Sequence, residues 1–476
     1  AQMNTLPRLK PRCFYDIVVE VALIRPGPIQ GRSVNPYLRR RSGREEVTYL
    51  HPLLEPALRQ TLGVPLFQEQ LMRIATDAAG LSGAHADQLR RAMGAKRSPE
   101  RMEALKGDLM AGMKERGIDA PTRERIFEQL KGFADFGFPE SHSFSFAHIV
   151  YASSWLKVHA PEHFYAAILA SQPMGFYSPA TLVQDARRHG VRVVGPSVND
   201  SLVDASVQRV SEDESGESYS PGCPESLPSR GTVPLDVDAD LAVRIGLNQV
   251  RGLGAASERI VEARCQGAFA SQADLARRAH VSASAMEKLA MAGALECLGV
   301  GRREGAWAAG ALAQPQARGG QWQPFLPGTE VGSRVPDLPS LSEAERMQSD
   351  VATTGLTSGE HPFSYVRGSL PASALRAGEL GQHLAGRIVD VAGIVTHRQR
   401  PHTGGGITFL SLEDETGFVN VSVSVGAWKK FRRVCLESNA LLVRGTLEWG
   451  DGAINVQAFR ITPVDLPINV RSRDFR

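Results

Sequence analysis

Cysteine is scarce in this chain. Five occur in 476 residues, at Cys13, Cys223, Cys265, Cys297 and Cys435, and none is part of a C-x-x-C pair. That spacing excludes a zinc ribbon and a disulfide framework and fits a reducing cytosol. Long apolar runs are missing as well. No stretch reaches the roughly 20 residues a membrane span needs, and the opening AQMNTLPRLKPRCF has no apolar signal core, so no membrane partner is expected. Net charge is slight, +3 with a pI near 8.6, which neither requires nor excludes nucleic acid. An initiator Met is absent too, and the expectation is a chain that begins inside a longer protein. No G-x-S-x-G elbow accompanies Ser141-His142-Ser143, and adjacent residues seldom reach each other as nucleophile and base, so a hydrolase pair is set aside.

What is present outgrows one core. At this length, with 42% hydrophobic and 22% charged residues, roughly two to four soluble domains are predicted. The most informative stretch is GVPLFQEQLMRIATDAAGLSGAHADQLRRAMGAK, from Gly63 to Lys96. Phe67, Leu71, Ile74, Ala75 and Ala78 share one helical face. Gly80-Leu81-Ser82-Gly83 breaks the run, with Ser82 available as an N-cap. In the second helix Leu89, Ala92 and Met93 form the buried stripe, so Arg90 and Arg91 point away from it, with Lys96 and Arg97 beyond. Guanidinium forks and an ammonium point charge suit a polyphosphate; the same spacing also describes a solvated basic face. A second basic block, Arg25 to Arg44, carries six arginines and no acid, and fits either a phosphate backbone or a solvated loop.

QEQLMRIA followed by LRRAMGAKR resembles the fingers domain of the alpha subunit of bacterial DNA polymerase III, the C-family polymerases. The resemblance implies that Arg90 and Arg91 face the triphosphate of an incoming dNTP, with Lys96 nearby. RPGP at Arg25–Pro28 resembles the turn where the family's palm passes into its fingers, and PIQG with PYLRRR resembles its error-prone, damage-tolerant branch. The segment GFPESHSF resembles a fingers segment near nucleotide and template, which implies that Ser141 and His142 touch the primer or the incoming nucleotide; the resemblance of the RPGP turn places Arg25 with them at the primer-template. From the residues alone, Ser143 caps the helix that carries Phe146, Ile149, Val150 and Trp155.

Further along, SEDESGESYSPGCPESLPSR (211–230) is too polar to bury a core and reads as a disordered surface insert. Asp236, Asp238 and Asp240 alternate, and on a strand they would share a face as metal-binding carboxylates do. A hydrolase or metal enzyme built on them is one alternative reading. They join a polar insert to the next strand, a position that favours solvent, and no metal site is assigned. VRGLGAASERIVEAR places Gly252 and Gly254 in a tight turn before an amphipathic helix, where backbone N–H groups can approach a phosphate. It resembles a helix-hairpin-helix, with 269–299 as the second half of a pair; a plain turn between helices is the simpler reading. Gln321-Trp322-Gln323-Pro324-Phe325, in a linker, resembles sliding-clamp-binding peptides.

From 386 to 466 the chain alternates Val, Ile, Thr and Phe with polar residues between Gly and Asp turns. That pattern, with a helix near Ala427–Cys435, predicts an OB-fold, for which Arg398, Arg400 and Phe409 are candidates to hold single-stranded DNA. Phe418 is a further candidate, with barrel core as the alternative for either ring. The expected fold is multidomain α+β: mostly helical fingers (1–178), a small α/β region (179–243), a tandem helix-hairpin-helix module (244–300), a linker (301–342), a connecting segment (343–385), a C-terminal OB-fold β-barrel (386–466) and a tail (467–476).

In the resembled family the palm aspartates that hold Mg2+, and a metal-binding PHP domain, precede the RPGP turn, before residue 1. The resemblance therefore implies a DNA- and nucleotide-gripping piece with no catalytic residue and no metal of its own, inactive alone, located in the cytoplasm. The implied partners are primer-template and single-stranded DNA, dNTP, the sliding clamp and mutagenesis accessory proteins. A non-catalytic DNA-binding accessory protein from a truncated polymerase gene is the alternative.

Overall fold

The computed structural model describes residues 2–23, 34–92, 98–132, 138–210, 234–312, 336–401, 405–450, 453–468 and 472–475. They fall into two units, residues 1–154 with 450–453 and residues 155–449 with 454–476.

The first unit is helical. α1 (Gln2–Leu9), α2 (Phe14–Leu23) and α3 (Val34–Arg41) precede the helical pair read from the sequence, α4 (Gln68–Ala79) and α5 (Gly83–Ala92). In α4 the predicted face is buried: Leu71, Ile74, Ala75 and Ala78. Gln70 fixes its start. The amide oxygen accepts from the N–H groups of Leu66 and Phe67, and the amide nitrogen donates to Ala57 O and Thr61 Oγ1. A buried amide so fully partnered carries little desolvation cost. Gly80 ends the helix in the left-handed region (φ 69), and Ser82 caps α5, its Oγ accepting from His85 N–H. α6 (Ser98–Glu115) and α7 (Ala120–Gly132) add Leu109, Met113, Ile126, Phe127 and Leu130 to the same core. α6 approaches α4 so closely that a Cβ on Gly112 would stand 1.8 Å from the Ala79 carbonyl oxygen.

α8 (Glu140–His159) runs from the first unit into the second. Phe146, Ile149, Val150 and Trp155 are exposed, and the buried positions are Ser143 and Ala147. Here the sequence expectation is corrected: Ser143 lies inside the first turn, not at the cap, and its hydroxyl donates to Val18 O of α2 at 2.7 Å. Small side chains four residues apart allow close backbone approach to α2, which leaves the bulky residues outside.

In the second unit, α9 (Pro161–Ala170) and α10 (Pro179–Arg188) accompany a sheet of β1 (Val193–Val194), β2 (Ser206–Arg209) and β3 (Leu241–Arg244) in the order β1-β3-β2. β1 runs parallel and β2 antiparallel to β3. Asp236, Asp238 and Asp240 precede β3 in non-strand backbone and are exposed, so the shared strand face imagined for them does not form. Asp236 instead meets His159 Nδ1 at 2.6 Å, and Asp238 accepts from Asp240 N–H. α11 (Ala256–Arg264), α12 (Gln272–Ala279), α13 (Ala283–Met291) and α14 (Arg302–Leu312) enclose a core with Leu253, Ile260, Leu275, Met286 and Leu289. Ser271 and Ser282 cap α12 and α13. α15 (Glu343–Thr354) opens with a reciprocal Ser342–Glu345 cap.

The C-terminal region closes on itself. After the short β4 (Ala374–Leu375) come β5 (Ile388–Gln399), β6 (Thr408–Asp414) and β7 (Gly417–Val423), then α16 (Val425–Glu437), β8 (Ala440–Gly450) and β9 (Ala453–Pro463). β5 pairs antiparallel with both β6 and β8, β6 with β7, and β7 runs parallel to β9, which neighbours β8. A five-stranded closed barrel with its helix between the third and fourth strands is the OB architecture. Tight closure needs Gly445, where a Cβ would lie 2.4 Å from Gln457 O. β10 (Arg473–Phe475) adds to the edge of β5. Glu413 of β6, buried, accepts from Thr181 Oγ1 and Arg188 at 3.0 Å each, tying the barrel to α10.

α2 contains a misfit. Glu20 is 8% exposed, and neither carboxylate oxygen has a hydrogen-bond partner among the described residues. Burial pushes its carboxyl up from 4.5 to about 7. Between those values the native state holds a proton that the unfolded chain has released, so this group's contribution to stability falls as pH rises through that window. Thermal unfolding of the parent should show this extra loss between pH 5 and about 7, and Glu20→Gln should remove it. Parallel pH profiles for the two would contradict the assignment.

Candidate nucleic-acid interface

In the first unit the described part of the expected triphosphate site is α5. Lys96 and Arg25 lie outside the described residues, as does the side chain of Arg90. Arg91 stands exposed, with Nε 2.7 Å from Asp87 Oδ2 one turn earlier. An exposed pair of this kind adds little stability. It steadies the guanidinium on the exposed side of the helix.

Ser141 and His142 are exposed in the first turn of α8. That turn is anchored from both sides: Glu140 N–H donates to Glu69 of α4 at 2.8 Å, and Tyr15 of α2 donates its hydroxyl to Glu140 at 2.6 Å. The His142 ring lies edge-on to Phe138 and Phe146, with centroids 5.3 and 4.7 Å away. Packing of this kind orients an imidazole without using its nitrogens.

In the second unit, Gly252 and Gly254 adopt φ of +77 and +51 in the turn before α11, conformations that favour glycine. The N–H groups of Leu253 and Ala256 bond within the turn; those of Gly252, Gly254 and Ala255 have no backbone acceptor among the described residues. Above the turn sits a cation that sequence reasoning missed. Lys288 of α13 brings its ammonium so near that a Cβ on Gly252 would lie 2.4 Å from Nζ. Lys288 has no carboxylate partner among the described residues. Open N–H groups beside an unpaired ammonium make an anion site of the kind that holds one backbone phosphate. Nothing in the local sequence marks Lys288, because the packing of α13 against the turn brings it there.

On the barrel the three expected residues separate. Arg398 turns inward and is buried. Its guanidinium donates to Cys435 O, Ser438 O, Ser472 Oγ and Asp474 Oδ1. It serves the fold rather than an open face, because burial obliges a charged fork to find partners inside. Arg400 is exposed, its guanidinium 5.7 Å from the centre of the Trp428 ring. Phe409 alternates outward on β6, 37% exposed, opposite Ser422 of β7. Ser422 in turn is beside Gln457 of β9, and Phe459 is exposed two residues on. Lys429, Lys430, Arg432 and Arg433 are exposed on α16. Outward rings beside cations match single-strand recognition by stacking and charge. Phe418 is half-buried under the Arg188 guanidinium, 5.5 Å away.

Residues 1–117 match the bacterial DNA polymerase III alpha subunit finger domain, residues 190–305 a helix-hairpin-helix motif and residues 389–464 an OB-fold nucleic acid binding domain. Across all of its length the chain is 49% identical to the error-prone DNA polymerase of Mycobacterium tuberculosis and 47% identical to that of Cutibacterium acnes. Over its whole length the chain is similar to error-prone DNA polymerases, and its first 117 residues match the finger domain of the bacterial DNA polymerase III alpha subunit. It spans 40% and 43% of the length of those two relatives. Among solved structures, asparaginyl-tRNA synthetase from Pyrococcus horikoshii aligns with 21% of this chain and 24% of its own, at 20% identity and a TM-score of 0.19. Among the described residues no helix is long and apolar enough to cross a membrane.

Lys288→Gln should weaken duplex DNA binding and reduce the log–log salt slope by about one, without lowering the thermal midpoint. Fluorescence anisotropy across a salt series reads this directly, and an unchanged slope would remove Lys288 from the interface.

Proposed function

We propose that this chain is the DNA-gripping and dNTP-binding part of an error-prone, damage-tolerant DNA polymerase. The observation that carries the reading is the order of three nucleic-acid-handling modules along one chain: fingers, helix-hairpin-helix and OB-fold. On this reading Arg90, Arg91 and Lys96 hold the triphosphate, and Arg25, Ser141 and His142 meet the primer-template. Gly252 and Gly254, helped by Lys288, hold a backbone phosphate. Arg400 and Phe409 receive single-stranded DNA, whereas Arg398 keeps the barrel wall together. A sliding clamp and mutagenesis accessory proteins are the further partners implied, in the cytoplasm.

Nucleotidyl transfer in such enzymes uses Mg2+ held by converging carboxylates. The described residues of this chain do not fit that role. No group of three His, Cys, Asp or Glu side chains among them is placed to hold a metal ion, and Asp236, Asp238 and Asp240 are all exposed to solvent. No chemical step is therefore assigned to this chain. In this proposal residues outside it hold the metal, and the chain's own work is to bind and orient.

With a labelled primer-template, dNTPs and Mg2+, the chain alone should bind the DNA and extend no primer. Template-directed extension would contradict the division of labour, and failure to bind primer-template at low salt would contradict the reading as a whole.

A further inference from the structure

The first unit contains a strongly basic pocket where the end of the Arg25–Arg44 block meets cations from the start of the chain. It is a cavity of about 630 Å3 between the α1–α2 loop and the end of α3, lined by Arg8, Lys10, Arg12, Arg39, Arg40 and Arg44. Its apolar lining, Leu9, Leu38 and Leu62, belongs to a core cluster different from the one that seats α5 through Leu89.

Arg41 builds the pocket. Its two terminal nitrogens meet the two oxygens of Asp16 at 2.6 Å each, and the same guanidinium donates to Leu9 O and Lys10 O. Burial alone would raise the Asp16 carboxyl, but the Arg12 N–H and the Arg41 guanidinium hold it below its usual range. The fork thereby clamps the loop carrying Lys10 and Arg12 onto α3. Glu45 steadies the neighbouring pair, one oxygen taking Arg39 Nε at 2.8 Å and the other Arg40 Nε at 2.9 Å.

Charge is left over. Arg8, Lys10 and Arg12 are exposed, and no carboxylate pairs with them among the described residues. Like charges gathered this way repel one another, and a polyanion relieves the repulsion. Among the described residues no aromatic ring lines the pocket, so they offer no stacking platform for a base. What they offer is forks and an ammonium for phosphate oxygens.

We propose that this pocket grips a stretch of DNA phosphodiester backbone, at a site separate from the triphosphate site on α5. The inference rests on the reading of the chain as DNA-gripping. It extends that reading to a second phosphate contact within the fingers, one set by charge and not by sequence.

The test uses the whole chain and a labelled oligothymidylate. Acetylation of Lys10, read by mass spectrometry, should be suppressed when the oligonucleotide binds. Replacing three cations together, Arg8→Gln, Lys10→Gln and Arg12→Gln, should weaken binding about tenfold and flatten the log–log salt slope by about two, with Arg41 and Asp16 left intact to keep the fold. Lys10 that stays fully reactive while the oligonucleotide is bound overturns the pocket and leaves the DNA-gripping reading standing. An oligonucleotide that never binds overturns both. Tripolyphosphate at equal phosphate concentration is the third arm: protection by it, and none by the oligonucleotide, overturns the assignment to DNA. The protection measurement needs only the parent chain, so misfolding of the triple variant does not weaken the test.

Discussion

A guanidinium carries several N–H donors in a rigid plane, and once buried it has to satisfy them inside the protein. That obligation sorts the arginines of this chain. Arg398 is enclosed and uses its fork on two carbonyls, a hydroxyl and a carboxylate, so it holds the end of α16 and the C-terminal strand against β5. Arg41 is similarly committed to Asp16 and two loop carbonyls. Arg91 and Arg39 are exposed, and each has one carboxylate contact that steadies its position while much of its plane faces solvent. The committed group keeps the scaffold rigid; the partly committed group can meet phosphate with little further loss of side-chain freedom.

Close backbone approach sets where those cations stand. α4 and α6 meet where Gly112 leaves no room for a methyl group beside Ala79, and α5 packs against both. In the barrel, Gly393 and Gly445 let β5 and β8 pass against neighbouring carbonyl oxygens. In the helix-hairpin-helix turn Gly252 serves twice, by its positive φ and by leaving space for the Lys288 ammonium. Each of these glycines is needed by the geometry around it, and together they keep side chains out of places where backbone meets backbone or charge.

Much of this was legible in the residues. The apolar spacing of α4, the Ser82 cap, the Gly80 stop, the alternating barrel strands and the glycine turn before α11 all come from local chemistry, and local chemistry is what a sequence displays. What the residues leave open is which face of an element is covered. α8 mixes apolar and polar residues around its whole circumference, so periodicity could not tell that Ser143 and Ala147 face α2 while Ile149 and Trp155 face out. Arg398 looks like any basic residue beside a loop, and only the return of the chain at Ser472 and Asp474 reveals that it is enclosed. Lys288 sits thirty-six residues beyond Gly252 in the sequence and meets it through tertiary packing alone. The Arg91–Asp87 pair, by contrast, is visible in the residues as an i, i+4 spacing.

The account depends most on the cations of α5 meeting a nucleotide's phosphates. The direct measurement is steady-state incorporation by a full-length polymerase bearing this sequence, with Arg90→Ala and Arg91→Ala combined. The account predicts that the KM for dNTP rises by about tenfold or more, the scale of one or two charged hydrogen bonds, while primer-template affinity stays the same. Unchanged KM and unchanged incorporation in that variant would contradict it.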